Sequence, residues 1–192
     1  ISGASLATYI VTAADVSKYL TAYVVAKNGA SEVATASLAT SPQVLQAPNN
    51  SVAPSVQGSA VVGETVTAGD GTWVATPSAT YTYQWYSCSA VVIAAAVKNA
   101  KCAAIAGARS STYEVPAAQN NKYLVVQVSA TNSTNVGAPT SYYSSSSLKV
   151  LTAPRNTVAP TLSYSSAAST GQPVVGSTIT VKPGTWTGNP IP

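Results

Sequence analysis

The sequence predicts an all-β protein built of β-sandwich repeats in tandem. Three observations carry the prediction. Stretches of sequence recur about a hundred residues apart, the segments between them are short and punctuated by Gly and Pro, and Thr, Val and Tyr dominate. Such residues fit a pleated, half-buried surface, and a long-period repeat is read before anything else.

The repeats set the boundaries. Residues 1–28 align with 105–132 without a gap, APNNSVAP at 47–54 with APRNTVAP at 153–160, and VVGETVTAGDGTW at 61–73 with VVGSTITVKPGTW at 174–186. The chain of 192 residues therefore reads as the C-terminal part of one repeat (1–46), a complete repeat (47–152) and the N-terminal part of a third (153–192). The ends fall within motifs, as in a slice of a longer secreted protein. Pro at 48 and 54, and again at 154 and 160, reads as punctuation of short, stiff linkers.

Within the complete repeat, Val61–Ala68 reads as a strand and Asp70-Gly71 as a turn. Thr80–Cys88 alternates Tyr81, Tyr83 and Trp85 with polar Thr82 and Gln84, as a strand with one buried face does. Ser111–Val115 is a short strand and Pro116–Asn121 a loop. Lys122–Thr131 places Leu124, Val126, Val128 and Ala130 on one face. Leu148 and Val150 fit a last strand. No stretch has helical periodicity with a polar face. About seven short strands per repeat is the sandwich pattern, and the central Trp strand and long final connection suit a Greek-key, immunoglobulin-like order.

Composition narrows the function. Only 7% of residues are charged, against about 25% in average soluble proteins. The net charge of +4 is spread over single Lys and Arg residues, so no nucleic-acid partner is expected. No run approaches a membrane span. There is no His, and two Cys alone cannot hold zinc. The five acids are scattered, Ser has no His partner and no Gly-rich phosphate loop exists. No enzyme activity, metal or cofactor is expected. Cys88 and Cys102 are expected to form one disulfide in an oxidising, extracellular compartment.

The ordered set VVGxTxT, GTW, TYxYQWYxC, a second Cys, IxGAxxxTYxV and KYLxxxVxAxN resembles the tandem immunoglobulin-like repeats of large bacterial surface and secreted proteins, those of actinobacteria especially. The resemblance covers all of 47–152 and parts of both ends. It implies a stalk, adhesin arm or filament. Two departures stand out. The cysteine pair encloses a local hairpin instead of joining two sheets, and Tyr19 and Tyr123 lie at the wrong parity for a tyrosine corner.

Trp85, Trp73 and Trp186 are expected in the core with Leu124, Val126 and Val128, while Tyr86, Tyr142 and Tyr143 are candidates for exposed aromatics. The apolar run from Ala90, with Val91, Val92, Ile93 and Val97, lies between the cysteines. It is either a contact surface for a neighbouring repeat or subunit or an extra buried strand. The leading expectation is a structural segment of an extracellular filament or stalk whose partners are neighbouring repeats or copies of itself. The alternative is an adhesin or carbohydrate-binding module with surface glycans as partners.

Overall fold

Nine strands form the central part of the chain, seen in a computed structural model that describes residues 1–36, 41–93, 101–135, 137–165 and 172–189. They are β3 (Gln46–Val52), β4 (Ser55–Gln57), β5 (Thr65–Gly69), β6 (Thr72–Thr76), β7 (Thr80–Cys88), β8 (Cys102–Ala104), β9 (Thr112–Glu114), β10 (Tyr123–Thr131) and β11 (Thr140–Tyr143). The described residues contain strands and short 3-10 turns but no α-helix.

One sheet has the order β4-β5-β9 and another β11-β10-β7-β8, all pairs antiparallel. The chain crosses between the sheets three times, after β6, after β8 and after β9. A separate β3-β6 ribbon extends the β4-β5 pair. Leu151 adds a parallel bridge to Val61.

The period-2 pattern explains the core. Val66 of β5, Trp85 of β7 and Leu124, Val126 and Val128 of β10 are fully buried in one cluster between the two sheets. Each such aliphatic side chain contributes about 1.5–3 kcal/mol on burial. Trp85 stacks on Tyr113 at 5.7 Å and donates its Nε1–H to the Ser110 carbonyl at 2.9 Å, which satisfies its polar atom. Val125 points to the opposite face of β10 and is also fully buried, so the sheet is covered on its second side around this residue.

The flanking parts use the same local devices. The first contains a hairpin of β1 (Tyr23–Lys27) and β2 (Glu32–Ala36). The last contains β12 (Thr152–Val158), β13 (Thr161–Tyr164), β14 (Ile179–Lys182) and β15 (Thr185–Asn189), paired β12-β15 and β13-β14. The Leu20 N–H donates to Ser41 Oγ at 2.8 Å, and the Leu124 N–H to Ser147 Oγ at 2.9 Å. Ser17 and Asn121 both adopt positive φ and donate to Val44 and Val150. Trp73 Nε1–H donates to the Asp70 carbonyl and Trp186 Nε1–H to that of Pro183. A Cβ on Gly71 or Gly184 would strike the Val52 or Val158 carbonyl oxygen, so both turns require glycine.

Two expectations change. Pro48 and Pro154 lie inside β3 and β12, so no separate linker precedes these strands. Trp186 is 42% exposed, unlike Trp73, which packs against the core beside Tyr81 and Tyr142. Tyr81 and Tyr142 bury Trp73, and among the described residues Trp186 makes no such ring contact.

Candidate interaction face

The outer face of the β11-β10-β7-β8 sheet is the best-formed site. At its β8 end the Cys88–Cys102 disulfide closes the hairpin. A loop of this length contributes about 3 kcal/mol by restricting the unfolded chain. Cys88 and Val125 are fully buried there and Val92 is 6% exposed, with Tyr86, Tyr123 and Tyr143 packed around them. Val91 and Ile93 are 67% and 66% exposed. The expected contact run is thus divided: Val92 turns onto its own sheet, while its two neighbours face solvent. Val97 lies outside the described residues.

Beyond this cluster the face becomes polar. The Tyr86 hydroxyl donates to Gln127 Oε1 at 3.1 Å, and its ring meets Tyr143 edge-on at 5.7 Å. Ser129 and Ser141 share a hydrogen bond across β10 and β11. Gln84 Nε2 donates to the Trp85 and Ile105 carbonyls at 2.9 and 2.8 Å. An open groove of about 810 Å³ runs along β7, lined by Tyr81, Tyr83, Gln84, Arg109 and Gln127 among others. The β8 strand pairs with β7 only from Tyr86 to Cys88, which leaves the Tyr81–Tyr83 edge unpaired among the described residues.

Electrostatics suit binding by neutral groups. Burial, reinforced by the Asp70 carboxylate that accepts its hydroxyl at 2.8 Å, pushes Tyr83 up to about 12. Burial and the neighbouring Tyr143 hydroxyl also raise Tyr86. Both tyrosine hydroxyls are thereby held in the neutral, hydrogen-bonding form. Arg109 is the one cation lining the groove. Among the described residues no group of three or more His, Cys, Asp or Glu side chains converges. No helix is long and apolar enough to cross a membrane.

Sequence reasoning named Trp85, Leu124, Val126 and Val128, which meet in the core, and Cys88 and Cys102, which pair. Of the proposed exposed aromatics, Tyr142 is 41% exposed, whereas Tyr86 and Tyr143 are half-buried against each other. Gln84, Arg109 and Gln127 were missed. The polar parity of β7 could have pointed to Gln84; Arg109 had no local signal. Comparison with family models, with curated proteins and with solved structures gave no match to this chain.

Proposed function

We propose that this chain is a structural segment of an extracellular bacterial filament or stalk, made of immunoglobulin-like repeats in tandem. The strand order supports the immunoglobulin-like reading, with β4-β5-β9 facing β11-β10-β7-β8 and three crossings between them. A disulfide fits an oxidising compartment.

The observation that carries the mechanical reading is the absence of slack at the joints. The Val150 N–H donates to the Lys122 carbonyl, and two residues later Thr152 is already paired with Asn189. At the preceding joint, the Val44 N–H donates to Lys18, and Gln46 is paired with Thr76. Leu151, itself hydrogen-bonded to Ala60 and Val62, is followed directly by paired Thr152, and at the first joint one residue, Leu45, separates the Val44 bond from paired Gln46. Asn189 Nδ2 also donates to Asn120 Oδ1 at 3.2 Å across the second joint. Tension along such a chain passes from strand to strand, and each unit contacts mainly its neighbours.

Immunogold electron microscopy with antibodies against this chain is expected to label fibres outside the producing cell. Label confined to the cell interior overturns the reading. The groove beside Tyr83 and Arg109 favours a second reading, an adhesin or carbohydrate-binding module. Glycan-array binding abolished by Tyr83→Ala would favour that reading over the purely structural one.

A further inference from the structure

The edge of β7 is paired over only part of its length, and the ladder shows which backbone groups face the open part. The Trp85 N–H donates to the Ala108 carbonyl at 3.0 Å, and the Trp85 carbonyl accepts from the Ile105 N–H at 2.9 Å. Both backbone groups of Trp85 therefore point away from β10. The partner strand agrees. Val126 lies opposite Trp85 and bonds Ser144, on the β11 side of β10, through both its N–H and its C=O. Residues along an antiparallel strand alternate between the two directions. Tyr81 and Tyr83 share the parity of Trp85, so they aim their N–H and C=O groups at the same edge. Among the described residues nothing receives these groups. The chain runs beside β7 as far as Ala108 and then crosses to the other sheet, where the Ser111 carbonyl accepts from the Ala68 N–H.

The surroundings say what such an edge accepts. The groove of about 810 Å³ lies along it, so an incoming chain has room. Arg109 stands where the chain leaves β7 and lines that groove, and no acid does. Glu114 shares only the cleft on the other side of Arg109. Among the described residues the single ion pair is Lys27 with Glu32, so the Arg109 charge is unmatched. A planar guanidinium of this kind takes a carboxylate through two parallel hydrogen bonds.

We propose that an extended peptide segment of a partner protein, carrying an acidic residue, adds to β7 at Tyr81 and Tyr83 and sets its carboxylate on Arg109. The open N–H and C=O groups supply main-chain bonds, and Arg109 supplies selectivity. A saccharide has no ladder of alternating donors and acceptors to match these groups, so the edge favours a peptide. The docking is a binding activity beyond the filament reading and does not depend on it.

Hydrogen exchange and peptide binding on the full chain test this. In the free protein the Thr82 and Gln84 amides, which face β10, are expected to be protected, and those of Tyr81 and Tyr83 to exchange about tenfold faster or more. The probes are short acetylated and amidated peptides of mixed sequence, in three pools that each hold one fixed Glu, Gln or Lys. The Glu pool is expected to bind best and to slow exchange at Tyr81 and Tyr83. Its fully N-methylated counterpart, which has no N–H to donate, is expected not to bind. Arg109→Gln is expected to weaken the Glu pool about fivefold or more and bring it level with the Gln pool, with the urea midpoint of the central sandwich unchanged. Tyr81 and Tyr83 amides already protected in the free chain, no binding by any pool, or equal binding after N-methylation overturns the proposal. Tighter peptide binding by Arg109→Gln would make Arg109 a guard of the edge and overturn it too. A glycan bound in the groove and lost in Tyr83→Ala, with no peptide pool bound, would sink peptide docking and leave the adhesin reading.

Discussion

The Val92 N–H donates to Ser146 Oγ at 3.3 Å, and the Ser146 N–H returns a bond to the Val92 carbonyl at 3.0 Å. This reciprocal pair pins the start of the disulfide-enclosed loop to the segment that follows β11. It turns the Val92 side chain onto Val125 and Cys88. The Cys88–Val125 patch on the second face of the sheet is thereby sealed by a residue from a loop.

Val92→Asp would place a carboxylate in that seal. A cost of about 2–4 kcal/mol to the central sandwich is expected. Val91→Asp and Ile93→Asp, at exposed positions, should each stay within about 0.5 kcal/mol. Urea denaturation followed by circular dichroism separates the cases. Equal costs at all three positions would show that Val92 does not anchor the loop.

Trp85 and Trp186 divide in the same way. Trp85→Phe removes the Nε1–H that satisfies the Ser110 carbonyl and leaves space beside Tyr113. About 2–3 kcal/mol of the central sandwich's stability should be lost. Trp186→Phe, at a 42% exposed ring, should leave the main unfolding transition within about 0.5 kcal/mol of the parent. The midpoint and slope of a denaturant curve are the measurement, and a main-transition loss above 1 kcal/mol in Trp186→Phe would contradict this assignment.

The sequence made the β7-β10 wall of the core legible because its periodicity is local. Leu124, Val126 and Val128 alternate, and so do Tyr81, Tyr83 and Trp85. Recurrence of whole segments also anticipated recurring hydrogen bonds, such as Leu20 to Ser41 and Leu124 to Ser147. What stayed hidden depends on partners distant in sequence. Val125 reads as a solvent-facing residue until Val92 is placed over it. Pro48 reads as a linker residue, yet β3 and β6 pair through two register shifts, between Gln46/Asn49 and between Asn50/Val52. Pro48 lies within the first of these irregularities, where an interrupted ladder tolerates a residue without an N–H. Trp186 matches Trp73 in its motif, but Trp73 is buried by Tyr81 and Tyr142, which lie outside that motif. Arg109 reaches the β7 groove only because the chain turns back after β8.

Alkaline pH should loosen the link between Asp70 and β7. Tyr83 has its folded pKa raised to about 12 from 10.0, by burial first and by the Asp70 hydrogen bond second. The folded state therefore favours the neutral phenol. Its contribution is fully present below pH 10 and is lost as pH rises from 10 to 12. Tyr86 and Tyr113, both raised mainly by burial, act in the same direction. Spectrophotometric titration at the phenolate band should show late-ionising tyrosines. Tyr83→Phe should remove one of them and reduce the loss of stability between pH 10 and 12. An unchanged alkaline limb in Tyr83→Phe would assign that loss to other groups.

The strongest local contrast between the repeats lies at corresponding 3-10 turns. In the first part, the Asp15 carboxylate accepts from the Thr12 N–H at 2.9 Å, the Thr12 hydroxyl at 2.9 Å and the Tyr9 hydroxyl at 2.7 Å. These bonds, the Thr12 N–H foremost, lower its pKa below 3.8. In the central sandwich the corresponding residues are Pro116 and Gln119, and Gln119 Oε1 is buried with no hydrogen-bond partner. The cause is chemical: Pro116 has neither an N–H nor a hydroxyl to give. An unsatisfied buried acceptor costs about 1–3 kcal/mol. Pro116→Thr together with Gln119→Asp should restore the Thr12–Asp15 arrangement and stabilise the central sandwich by about 1 kcal/mol at pH 7, after the entropy advantage of proline in the unfolded chain is surrendered. Gln119→Asp alone should gain at most the Tyr113 hydroxyl, the counterpart of Tyr9, and so stabilise less than the double variant. The gain in the double variant belongs to a carboxylate of lowered pKa, so it is present above the unfolded value near 3.9 and disappears as pH falls through the folded one. Denaturation at pH 7 and at pH 3 reads both signs, and a double variant no more stable than the parent at pH 7 would show that the orphaned oxygen is not what limits this turn.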